Sequence, residues 1–328
     1  MVLKQSRTIP KTIPQAMFNG IHQTTELLSL SLNFPGDHMT DHQIQSTDNR
    51  TLSFADYGKA SDVAVLCCHG GPGSRMEAKR SGDAASAAGF RLIGIDRPGY
   101  GGTTVLPGRS ICDWTRDALA IADHLGLEKF FVQGNSTGGS YALATASVAP
   151  ERVLGVLVCC GMSDMNWAIK VEEAKMEGAL PIWDAPDRDG AIAIAVEQFG
   201  EKGEKMLSPD PDAPPVFSPP DMAVIMDPAF AANDPDNEPF AQGAVGYADD
   251  RIADGPANGW SSFDVSKVVC PVLVIHGEQD WIVPIAHARH TASILTDAEL
   301  RTFPEHGHMS IGAESVAALV DLKSRAGA

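Results

Sequence analysis

The sequence predicts an α/β protein built on a mainly parallel sheet with helices on both faces. Two observations predict it: short β-rich runs alternate with helical stretches, and 44% of the 328 residues are apolar, enough to bury a sizeable core. The runs at 51–57, 63–68, 91–95, 129–133, 153–160, 271–276 and 299–303 read as strands. Their helical partners fall near 75–88, 111–126, 137–148, 285–295 and 311–325. Residues 1–40 carry Pro10, Pro14 and Pro35 without a sustained period, and read as an appended arm or partly disordered tail. The alternation breaks again over residues 161–262, where Pro and Gly cluster and no β-rich core run occurs. That segment is expected to be an inserted helical cap, which leaves 41–160 and 263–328 as the core. No internal repeat is present.

Charge narrows the partners. The chain carries 25 Lys and Arg against 42 Asp and Glu, a formal charge of −17, which phosphate backbones and anionic headgroups would repel. Neither nucleic acid nor a membrane surface is expected as a partner; a small-molecule substrate is. No apolar run approaches the roughly 20 residues of a spanning helix, and the basic N-terminus lacks the apolar core of a secretory signal, so a soluble, cytoplasmic protein is expected. Oligomeric state has no signature in the sequence. The insert holds 20 acidic and 6 basic residues, which reads either as a solvated surface or as a field that disfavours anionic ligands.

Six cysteines occur, four as the adjacent pairs Cys67/Cys68 and Cys159/Cys160 inside apolar runs. Neighbouring strand residues face opposite sides of a sheet, so each pair is poorly placed for joint metal binding or a disulfide, and buried free thiols are expected. No metal or cofactor is expected. The phosphate-binding Gly-x-x-x-x-Gly-Lys-Ser/Thr loop and a first-unit Gly-x-Gly-x-x-Gly are both absent from the sequence.

The segment that carries chemistry is Gly134-Asn-Ser136-Thr-Gly138-Gly, the chain's only Gly-x-Ser-x-Gly. An apolar strand ends at its first glycine and a small-residue helix begins after Ser136, the strand-turn-helix that holds a serine in a strained, exposed elbow. A serine hydroxyl needs a base, itself oriented by a third group. Two downstream segments supply both: the run 271–276 leads to a loop ending at Asp280, and the run 299–303 to one carrying His306 and His308. Serine, acid and histidine, each just past a strand's carboxyl end, come to one edge of a parallel sheet. Upstream, a strand runs into His69-Gly-Gly71-Pro-Gly73, where glycines let backbone N–H groups approach an oxyanion. His69 reads as a residue pinning this loop, and Arg75 either as a scaffold ion pair or as a substrate contact.

These motifs resemble those of the α/β-hydrolase superfamily over residues 41–325. The resemblance implies the α/β-hydrolase fold, with Ser136 as nucleophile, Asp280 as acid and His308 as base, and backbone N–H groups of Gly71 and Thr137 as the oxyanion hole. It prefers His308 over His306 because His308 follows Gly307, and leaves Asp164 as the alternative acid. Asp96-Arg-Pro-Gly-Tyr-Gly101 resembles a scaffold turn of the superfamily. The expected reaction is cleavage of a neutral or cationic small ester, amide or lactone through an acyl-enzyme on Ser136, most simply as a carboxylesterase. Activity should fall below roughly pH 6–7 as the base protonates. Three alternatives remain. His69-Gly-Gly-Pro-Gly73 resembles the oxyanion turn of proline iminopeptidases, and Gly134-Asn-Ser-Thr-Gly-Gly139 the elbow of carbon-carbon bond hydrolases. The fold also serves as a non-catalytic ligand-binding module. Trp167, Met176, Trp183, Phe199, Phe217 and Phe240 read as an acyl pocket or as the insert's own core.

Overall fold

The computed structural model describes residues 39–60, 62–176, 180–207 and 215–328. An eight-stranded sheet in the order β1-β2-β4-β3-β5-β6-β7-β8 forms its centre. The hairpin of β1 (Met39–Gln45) and β2 (Thr51–Tyr57) is antiparallel and joins β4 (Phe90–Ile95) antiparallel. All other neighbours pair parallel: β3 (Val63–Cys68), β4, β5 (Phe130–Asn135), β6 (Val153–Cys159), β7 (Val272–Gly277) and β8 (Ala298–Phe303). The arm expected over residues 1–40 lies outside the described residues, apart from Met39 and Thr40, which open β1.

Helices α1 (Lys79–Ala87), α2 (Ile111–His124), α3 (Gly138–Val148), α11 (Ile285–Ile294) and α12 (Ser315–Ala326) fall where the periodicity puts them. α2 opens with a capping box: Ser110 Oγ accepts from Asp113 N at 3.3 Å and Asp113 Oδ2 from Ser110 N at 2.8 Å. Two apolar clusters cover the two faces of the sheet. Cys67 packs in one and Cys68 in the other, as period-two alternation requires. All six cysteines are free, five of them buried.

Between β6 and β7 the described residues hold short helices joined by turns, with no strand: α4 (Met165–Ala168), α5 (Leu180–Trp183), α6 (Arg188–Phe199), α7 (Glu204–Leu207), α8 (Pro219–Ile225), α9 (Pro228–Ala232) and α10 (Val245–Asp254). Phe240 and Tyr247 are buried here with Phe199 packed against them, and Trp167 and Met176 join a smaller cluster, so these aromatics form the insert's own core. Trp183 also lines a cavity of about 250 Å³ with Ile182, Ala191, Arg251, Ile252 and Asn258. The insert's acidity is partly spent on arginines. Asp250 on α10 is fully buried and receives Arg97 Nη2 at 2.7 Å and Arg109 Nη2 at 2.6 Å, while Asp249 pairs with Arg188 at 2.6 Å. Asp250 thereby joins the insert to the core, while the Asp249–Arg188 pair ties α10 to α6 within the insert. Among the described residues no helix is long and apolar enough to cross a membrane.

Candidate active site

Ser136 stands between the end of β5 and the start of α3 with φ +52°, a left-handed backbone that a non-glycine residue adopts only where its surroundings impose it. The surroundings are tight. A Cβ on Gly134 would lie 2.2 Å from Gly138 O, and one on Gly138 would lie 2.0 Å from Cys68 O, so the turn closes only with glycine at both positions. Ser136 N donates to Cys159 O at 2.9 Å and Met162 N to Ser136 O at 3.2 Å, fixing the elbow against the end of β6.

Asp280 and His308, 28 residues apart in sequence, meet past the ends of β7 and β8. His308 Nδ1 lies 2.8 Å from Asp280 Oδ2, with the acid's side chain 1% exposed and the imidazole 9%. A carboxylate only accepts, so Nδ1 carries the proton and Nε2 is left as the basic nitrogen. The other carboxylate oxygen, Oδ1, accepts from the Ile282 and Val283 amides, both at 2.8 Å, which fixes the acid's orientation. Burial is the largest influence on His308 and opposes its charge. The Cys160 sulphur and Asp280 outweigh it and hold the histidine well above its ordinary value. A hydrogen bond with Cys159, together with burial, pushes the Cys160 thiol well up.

Asp164, the alternative acid, caps α4 through Asn166 N at 3.0 Å and receives Trp260 N at 3.2 Å. His306 faces Glu314 at 3.2 Å. His69 pins its loop: its Nε2 accepts from Arg97 N at 3.1 Å, and burial keeps its pKa well below the ordinary value. Arg75 is a scaffold residue, paired with Asp41 at 2.6 Å, Asp96 at 3.0 Å and Glu238 at 2.9 Å.

Gly71 and Thr137 are in contact: a Cβ on Gly71 would meet Thr137 Oγ1 at 2.8 Å. Among the described residues neither amide N–H has a hydrogen-bond acceptor. Glu77 ties this loop to the elbow, accepting from Gly70 N at 2.9 Å and from the side-chain amide of Asn135. Arg251 of α10, 2% exposed, donates from Nη2 to Thr137 Oγ1 at 2.6 Å and pairs with Asp254, whose pKa burial pushes up to about 7. Glu77 and Arg251 carry no motif and were not singled out by sequence. Cys160 was expected to play no part beyond packing, yet its Sγ lies within 4.8 Å of ligand atoms of both Asp280 and His308. Its backbone turns to φ +45° at the end of β6, which breaks the alternation on which that expectation rested.

The comparisons with known proteins agree with this architecture. The family model of the alpha/beta hydrolase fold matches residues 63–182. A non-heme haloperoxidase of Rhodococcus erythropolis is 24% identical over 287 residues, 83% of this chain and 95% of that protein. A probable proline iminopeptidase of Leptolyngbya boryana is 22% identical over 304 residues, 84% and 90% of the two. Among solved structures, an esterase from Exiguobacterium antarcticum superimposes with a TM-score of 0.60 at 19% identity, over 88% of this chain and 100% of that one. The chain has the α/β-hydrolase fold.

Proposed function

We propose that the protein is a serine hydrolase that cleaves a small ester, amide or lactone through an acyl-enzyme on Ser136, with esters as the first choice of substrate. The observation that carries this reading is the strained elbow at Ser136 on the same sheet edge as the 2.8 Å Asp280–His308 pair. In the reaction His308 Nε2 removes the Ser136 proton as Oγ attacks the carbonyl carbon, and the carbonyl electron pair moves onto oxygen. The unengaged amides of Gly71 and Thr137 support an oxyanion hole there, each donor contributing about 10²- to 10³-fold in rate. The imidazolium then protonates the leaving group. Water, deprotonated by the same nitrogen, releases the acid.

A neutral or cationic substrate remains the expectation, since the insert's few basic residues include Arg188 and Arg251, both already paired with carboxylates. The esterase named above supports the ester choice through its fold alone. Aminopeptidase action receives less support, because three of the insert's carboxylates, Asp249, Asp250 and Asp254, are themselves bound by arginines.

The test is a panel of p-nitrophenyl esters, lactones and proline arylamides, with intact mass recorded during turnover. Ester hydrolysis with a burst and an acyl adduct on the Ser136 peptide is the expected result. Arylamide turnover without ester turnover would replace the esterase reading with the peptidase one.

A further inference from the structure

The loop carrying His308 is held from two sides, and one of them belongs to the insert. Asp221 of α8 is fully buried, and its carboxylate collects donors from a single short stretch of that loop. Oδ1 accepts from Met309 N at 2.8 Å, Ser310 N at 2.9 Å and Ser310 Oγ at 3.0 Å. Oδ2 accepts from His308 N at 2.8 Å and Ser218 Oγ at 2.9 Å. Successive backbone N–H groups converging on one anion form a nest, and each such bond is charge-assisted. Burial works against the charge on Asp221, but these donors outweigh it and keep the carboxyl below its ordinary value.

Gly307 is part of the same arrangement. A Cβ there would lie 2.2 Å from Ser218 Oγ and 2.3 Å from Asp221 Oδ2, so the residue before the base must be glycine for the clamp to close. On the sheet side the loop is tied by Gln279 N to His306 O at 2.9 Å and by the Cys160 thiol to His308 O at 3.4 Å.

We propose that Asp221 is a positioning residue for the reaction, setting the backbone of His308 so that its ring spans from Asp280 toward Ser136. Because Asp221 belongs to the insert, the packing of the insert over the strand ends and the placement of the base are one mechanical unit. This rests on the serine hydrolase reading. A purely structural brace would lower stability when lost and leave the chemistry of the folded protein untouched. A positioning residue changes the chemistry itself.

The test compares wild type with Asp221→Asn and Ser218→Ala, well below their unfolding temperatures, using fluorophosphonate labelling of Ser136, the pH profile of ester hydrolysis, and the downfield proton resonance of His308 Nδ1–H. Asn keeps the shape but presents an amide to some of the loop's donors. The expected outcome for Asp221→Asn is a labelling rate and kcat lower by about 10- to 100-fold with KM unchanged, a shifted acid limb and a broadened Nδ1–H resonance. Ser218→Ala, which keeps the backbone donors in place, should lose about two- to fivefold and carries the test if Asp221→Asn does not fold. Unchanged labelling rate, pH profile and proton resonance in the folded variants would overturn the positioning role while leaving the hydrolase reading intact. Absence of labelling in the wild type would overturn the hydrolase reading itself.

Discussion

Replacing Asp280 with Asn should lower the rate and move its pH dependence together. Oδ1 is committed to the Ile282 and Val283 amides at 2.8 Å, so an asparagine places its carbonyl oxygen there and turns its NH₂ toward His308 Nδ1. That nitrogen must then accept, which moves the ring proton to Nε2 and removes the lone pair that would take the Ser136 proton. Loss of the correct tautomer costs about 10⁴-fold in kcat. The same change removes a hydrogen bond to a charged partner of about 1.5–3 kcal/mol, or roughly one to two pKa units of imidazolium stabilisation. The sign follows from the folded state. Wild-type His308 is held above its ordinary 6.5, so activity is lost as pH falls through that raised value, above the limb expected from sequence. Without Asp280 one of the two influences that raise His308 is gone, so the limb moves to lower pH on a much lower plateau. The assay is kcat/KM for a p-nitrophenyl ester against pH, with thermal unfolding measured alongside. A variant within tenfold of wild type, or one whose limb does not move, would refute the roles given to Asp280 and His308.

Three further outcomes test the frame around the site. Gly138→Ala drives a Cβ to 2.0 Å from Cys68 O, a backbone atom at the end of β3, and should cost about 3 kcal/mol or more by chemical denaturation; a loss under about 1 kcal/mol would contradict the tight elbow. Asp250→Ala leaves the buried Arg97 and Arg109 without their shared partner and should cost about 3–5 kcal/mol; a stability near wild type would mean that the insert is not anchored through this group. Iodoacetamide at neutral pH should leave Cys160 unmodified in the folded protein and alkylate it after unfolding, since the thiol is buried with a raised pKa; rapid alkylation of the native protein would mark it as a second nucleophile.

The fold and the candidate triad were largely legible in the sequence because their signals are local. The parallel strands are apolar runs buried on both faces, and the elbow is a strand, a Gly-x-Ser-x-Gly turn and a helix in immediate succession. β1 was missed because it is an edge strand, Met-Thr-Asp-His-Gln-Ile-Gln, with few apolar side chains to betray a period. Asp221 and Arg251 were missed for another reason. Their partners His308 and Thr137 lie 87 and 114 residues away, and a polar side chain that pairs across such a distance leaves no spacing to read. The acidic insert shows the same limit: counting charges left a solvated surface and a field against anions both open, and could not tell that Asp249, Asp250 and Asp254 are each paired with an arginine.

The most direct measurement is covalent labelling of the wild-type protein and of Ser136→Ala and His308→Ala with a fluorophosphonate, followed by peptide mass spectrometry. A single adduct on the peptide containing Ser136 is predicted in the wild type, none in Ser136→Ala, and labelling slowed by about 10³-fold or more in His308→Ala. An unlabelled wild type, or an adduct that persists in Ser136→Ala, would contradict the assignment of the nucleophile and the mechanism built on it.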